Sequence, residues 1–140
     1  MRFLATPCSL FLAGAVLAAT SPSPDAGHRV VLEVTTENPD AWQAILNNVD
    51  NLKAALGDKT QVRVVAHGKG LGLLLATNAA LKERMQNAAT RGVVFAACEN
   101  TMKKQNIKKE QLLPFVITVD SGIAEVVRKE GEGWAYIKGG

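Results

Sequence analysis

Cysteine is nearly absent from this sequence: two residues in 140, Cys8 and Cys98. A disulfide-stapled scaffold is therefore excluded, and the fold must rest on an apolar core. Histidine is as scarce, with only His28 and His67, and no His/Cys pair has ligand spacing, so no metal site is expected. Aromatic residues make up 5% of the chain and the net charge is +3. The basic residues are scattered apart from Lys103-Lys104 and Lys108-Lys109, with no basic stripe interleaved with stacking rings, which argues against nucleic-acid binding. Those four lysines read as a solvated helix face. A serine or aspartate hydrolase motif is missing, and nothing in the pattern calls for a cofactor.

What remains is the composition of an ordinary globular domain, 47% apolar and 21% charged, long enough to bury one core. Residues 1–20 read as a secretory signal peptide. Arg2 supplies the positive start, residues 10–19 the apolar segment, and cleavage follows Ala18 or Ala19. An uncleaved N-terminal anchor is the alternative, although the apolar run is too short for a membrane span. No cysteine follows it, which argues against a lipoprotein anchor. The expectation is a periplasmic or secreted protein with no membrane association after cleavage. Residues 21–28, rich in serine and proline, are expected to be a disordered linker, and 29–140 the domain.

Loss of the leader removes Cys8 and leaves Cys98 unpaired. In an exported protein an odd cysteine signals intermolecular pairing or a reactive thiol; a buried, inert thiol is the structural alternative.

The chain then alternates short strands with helices. A first strand over 29–36 precedes Asn38-Pro39-Asp40, a cap followed by proline at the first helical position. Trp42, Ile45, Leu46, Val49, Leu52 and Leu56 recur at helical spacing up to Gly57. A second strand, 61–66, runs into His67-Gly68-Lys69-Gly70-Leu71-Gly72. This turn lacks the third glycine of a dinucleotide fingerprint, having Leu73 there, and lacks the nucleotide-binding lysine loop. Its glycines read as permitting a tight turn and close backbone approach.

Asn78 caps a helix carrying Leu81, Met85, Ala88 and Ala89, closed by Gly92. Residues 93–98 form the third strand, an apolar run suited to a strand covered on both faces. A short helix over 101–105, capped by Asn100 or Thr101, and a short piece over 108–113 follow. A fourth strand over 115–119 leads to a helix capped by Asp120 or Ser121, with Ile123, Val126 and Val127 inward. A final strand occupies 134–138. This alternation predicts an α/β fold: three layers, α/β/α, around a mainly parallel sheet of about five strands.

In such sheets ligands bind beyond the carboxyl ends of the strands, where His67, Cys98 and Asp120 fall. Cys98 is the one candidate nucleophile with an activating position. The amides and positive end of the helix that follows favour its thiolate, adjacent Glu99 opposes it, and Lys103 and Lys104 offset Glu99. His67 is a candidate base or hydrogen-bond donor toward it, or a turn residue satisfied by backbone.

The stretches Val64-Val65-Ala66-His67-Gly68-Lys69-Gly70-Leu71 and Arg91-Gly92-Val93-Val94-Phe95-Ala96-Ala97-Cys98-Glu99-Asn100-Thr101-Met102 resemble the DsrE/DsrF-like proteins of intracellular sulfur oxidation. The similarity continues through Leu112-Leu113-Pro114, Val119-Asp120-Ser121-Gly122-Ile123-Ala124-Glu125 and Trp134-Ala135-Tyr136-Ile137-Lys138. The Ala-Cys-x-Asn-Thr step is its most specific part. The resemblance implies an α/β domain that assembles as trimers or hexamers, and a cysteine that carries sulfur as a persulfide between donor and acceptor proteins.

That role falls on Cys98, with His67 and Asn100 lining the site; His67, Gly68, Gly70, Asn100 and Thr101 are the candidate binding residues. The export signal departs from the cytoplasmic relay members. Three functions follow as expectations. The first is a sulfur-carrier or sulfurtransferase-like protein. The second is a non-catalytic oligomer that binds a small ligand near His67 and Cys98. The third is a thiol redox protein that depends on an external thiol.

Overall fold

The computed structural model describes residues 27–140; the expected leader, Cys8 and most of the linker lie outside the described residues. Five parallel strands form one sheet, in which the strand at 117–119 lies at one edge, followed in order by those at 93–98, 61–66, 29–34 and 135–138. The central strands β1 (Arg29–Val34), β2 (Gln61–Ala66) and β3 (Val93–Cys98) are nearly continuous buried runs, as a sheet covered on both faces requires. The edges, β4 (Ile117–Val119) and β5 (Ala135–Lys138), are short and more exposed.

α1 (Pro39–Leu56) starts as expected: the Asn38 side chain accepts the Asp40 amide at 2.9 Å, with Pro39 in the first turn. A 3₁₀ segment (Gly68–Leu74) follows β2 and leads to α2 (Ala79–Thr90). Asn78 does not cap α2 through its side chain, which instead donates to the Leu73 carbonyl at 3.0 Å. α3 (Glu99–Lys104) follows β3, and α4 (Gly122–Gly131) lies between β4 and β5.

The sheet's two faces are covered unequally. α1, the 3₁₀ segment and α2, with Met102 of α3, bury Leu32, Val34, Val64, Ala66, Phe95 and Ala97 in the main core. On the other face Val126 of α4 packs on Val31, Val65 and Ala96.

Several expectations change. Phe115 and Val116 lie outside β4: the Val116 amide turns back to the Leu113 carbonyl after Pro114, and the Phe115 ring meets Phe95 edge-on at 5.8 Å. Ile123 and Val127 point outward, 55% and 61% exposed, because α4 presents Gly122, Glu125 and Val126 to the sheet. Glu125 is buried there because Arg63 of β2 pairs with it. Leu56 is exposed while Lys53 is buried, its ammonium held by the carbonyls of Thr60 (2.7 Å) and Asp58 (3.2 Å). Among the described residues no helix is long and apolar enough to cross a membrane.

Candidate functional site

Cys98 ends β3 and is itself the cap of α3: its Sγ accepts the Thr101 amide at 3.5 Å. The thiol thus takes the place expected for Asn100 or Thr101, and the helix begins two residues earlier, at Glu99. Cys98 is the free cysteine among the described residues and is 5% exposed. Ser121 caps α4 by accepting the Ala124 amide, which sets Gly122 as the first residue of that helix. The sulfur therefore lies where the amino ends of two helices meet.

Burial raises the thiol's pKa, but the Thr101 hydroxyl and the amides of Gly122, Thr101 and Asn100 outweigh it. The thiol is held below its ordinary value. The donors have fixed directions. Thr101 Oγ1 accepts the Gly68 amide at 3.0 Å, which leaves its own proton for the sulfur. The Gly68 carbonyl is in turn held by the Gln105 side chain at 2.9 Å. The Asn100 amide also donates to the Asp120 carbonyl at 3.3 Å, tying the start of α3 to the end of β4. The Asn100 residue is exposed.

His67 follows β2, but its Nε2 is engaged by Glu33 Oε1 at 2.7 Å, a partner the sequence reading did not find. The imidazole lies against Gly122: a Cβ there would stand 3.0 Å from His67 Cβ and Cδ2. Only glycine lets α4 start this close to the ring. The same Glu33 carboxylate accepts a hydrogen bond from the Tyr136 hydroxyl of β5. Burial raises the Glu33 pKa, but the hydrogen bonds from Tyr136 and His67 outweigh it and hold the carboxyl below its usual value. That carboxylate raises the Tyr136 phenol above its own. The available signal was Glu33 itself, a lone acid in a strand whose neighbours are otherwise apolar.

Gly70 packs against β1. A Cβ on it would meet the Val34 carbonyl at 2.2 Å, so its place is the close approach of the turn to β1. Asp120 is exposed and paired through both oxygens with Arg128 at 2.7 and 2.8 Å, which holds its pKa at about 2. Among the described residues no group of three His, Cys, Asp or Glu side chains could hold a metal ion.

The geometry defines a class: a five-stranded parallel α/β domain whose cysteine caps a helix at the carboxyl edge of the sheet. The DsrE/DsrF-like family model matches residues 29–138, and the chain belongs to that family. Membership suggests a role in sulfur relay.

Among solved structures, the protein of unknown function MTH1491 from Methanobacterium thermoautotrophicum is 32% identical, with a TM-score of 0.75 over 79% of this chain and 98% of that one. The ychN protein from E. coli is 8% identical with a TM-score of 0.65, covering 79% of this chain and 98% of its own. BT1422 from Bacteroides thetaiotaomicron, also of unknown function, is 14% identical with a TM-score of 0.60, covering 81% and 96%. The last two likenesses show the fold alone. A search of curated proteins found no match.

Proposed function

We propose that this protein is a sulfur carrier that takes up sulfane sulfur as a persulfide on Cys98. The observation that carries the reading is the capping of α3 by the Cys98 sulfur, which accepts the Thr101 amide at 3.5 Å, with the thiol held below its ordinary value. Neutral, oriented donors favour an anion at Sγ without a cation that would trap it as an ion pair. His67, Gly68, Asn100 and Thr101 form the surrounding binding residues in this reading, and Gly70 shapes the turn that bears them.

We propose further that the protein works outside the cytoplasm, supported by the composition of residues 1–20, and as a homo-oligomer. The second proposal is supported by the exposed apolar side chains Ile123 and Val127 on α4 and Ile117 on β4.

The test of the carrier is the intact mass of the purified protein after brief exposure to polysulfide, beside Cys98→Ser. A gain of one sulfur atom that reductant removes and the variant lacks is expected. A Cys98 that stays unmodified and resists alkylation in the native state sinks the reading.

A further inference from the structure

The donors around Cys98 hold an anion but do not exchange protons: they are peptide amides and one aliphatic hydroxyl. Sulfane transfer needs such an exchange, because each transfer expels a thiolate that must be protonated. Titratable side chains at the carboxyl edge of the sheet include Glu33, His67, Glu99, Asp120, Tyr136 and Lys138, the last the register partner of Glu33. Arg128 grips both oxygens of Asp120. Glu33 already accepts from two donors, one of them Tyr136. Glu99 leads α3 with no hydrogen bond to the cluster, whereas His67 follows Ala66, the register partner of Ala97, which sets it beside Cys98, and its ring rests on Gly122.

We propose that Glu33 is a positioning residue that holds His67 as the proton donor to the thiol leaving Cys98's sulfur donor. This inference rests on the sulfur-carrier reading above. Glu33 Oε1 accepts from Nε2 at 2.7 Å, which fixes the tautomer with its proton on Nε2 and leaves Nδ1 as the nitrogen that takes up and releases the mobile proton. Tyr136 occupies the other Glu33 oxygen and prevents the carboxylate from rotating away.

The charged and titratable groups around the imidazole are few. They are Glu33 from β1, with Tyr136 and Lys138 of β5 acting through it, and Cys98 from β3 across Gly122. α4 adds Glu125, which is occupied by Arg63 and Arg128. The His67 side chain keeps 18% of its surface, enough for solvent to reload it.

The step balances as follows. The Cys98 thiolate attacks the outer sulfur of an alkyl persulfide R–S–SH, and a bond forms between Sγ and that sulfur. The S–S bond of the donor breaks, and R–S⁻ leaves with the electron pair. Protonated His67 gives its Nδ1 proton to R–S⁻. The products are Cys98–S–SH, R–SH and neutral His67, with no external oxidant or reductant. Unloading to an acceptor thiolate is the same step in reverse.

The test is the rate of sulfur transfer from glutathione persulfide to the full-length protein as a function of pH. Wild type, His67→Gln and Glu33→Gln are compared, and iodoacetamide alkylation of the same samples reports whether the amide pocket is intact. The wild-type profile should carry a falling alkaline limb, where the proton donor is spent, and His67→Gln should lose that limb and transfer about 100-fold more slowly below it. Glu33→Gln should also alter that limb, while alkylation of Cys98 stays at the wild-type rate.

Wild-type rate and profile in both variants overturn the inference and leave the carrier reading standing. Loss of alkylation together with transfer in both variants overturns it as well, since the pair is then structural. A wild-type Cys98 that accepts no sulfur overturns both.

Discussion

Thr101→Val removes one donor from the sulfur and leaves the rest of the pocket in place, because the other donors are backbone amides. Valine keeps the shape of threonine, so the change isolates the hydroxyl, which is oriented by the Gly68 amide at 3.0 Å. A hydrogen bond to a charged acceptor contributes about 1.5–3 kcal/mol. The neutral thiol also gains something from the same donor, so the preference for thiolate lies near the lower end, about 1.5 kcal/mol. That energy is about a tenfold change in thiolate population wherever the thiol is mostly protonated.

The assay is the pH dependence of iodoacetamide alkylation at Cys98, followed by intact mass. Thr101→Val should alkylate about tenfold more slowly than wild type on the acid side and converge with it at the alkaline plateau. Thr101→Ser, which keeps the hydroxyl, should track wild type. A Thr101→Val profile that overlays wild type refutes the reasoning. So does a serine variant as slow as the valine one, which would assign the effect to packing of the methyl group.

Two further outcomes follow from groups outside the pocket. Glu33 is held below its usual value in the folded protein, so its contribution is present above the unfolded carboxyl range and is lost as pH falls through the folded value. Glu33→Gln should therefore be about 1–2 kcal/mol less stable at neutral pH and lose less stability on acidification; urea melts at neutral and acid pH check this, and equal acid sensitivity refutes it. Ile123 is 55% exposed on α4, so Ile123→Glu should shift the particle mass in light scattering from trimer or hexamer toward monomer with an unchanged melting temperature. A wild type that is already monomeric, or a variant with wild-type mass, refutes the oligomer.

The sheet was legible because its central strands are buried on both faces, so apolar runs such as Val93-Val94-Phe95-Ala96-Ala97 admit few other structures. Cys98 was legible for the same reason: it is where that run meets the first polar residues. The errors arise where a side chain's partner comes from a distant strand. Glu33 reads as one acid in an apolar segment until β5 and β2 bring Tyr136 and His67 to it, residues 103 and 34 positions away. The outward turn of Ile123 and Val127 was hidden in the same way. Their spacing suits either side of α4, and the pairing of Glu125 with Arg63, 62 residues apart, decides which side faces the sheet. Self-capping by Cys98 was missed because sulfur is a weak acceptor, so oxygen-bearing Asn100 and Thr101 have the stronger prior as caps.

The position of α4 joins these findings. Its first residue supports the His67 ring, and its amino end helps hold the Cys98 thiol below its ordinary value. It is also the helix that packs on the second face of the sheet, where its own apolar contribution to the core is Val126. That apolar contact is small. The charges supply the rest: Arg63 grips Glu125 from below, and Arg128 reaches back to both oxygens of Asp120, just before the helix. The Asp120 carbonyl then accepts the Asn100 amide, so the starts of α3 and α4 are registered to each other on either side of the sulfur. Seating of α4 is therefore part of the sulfur pocket.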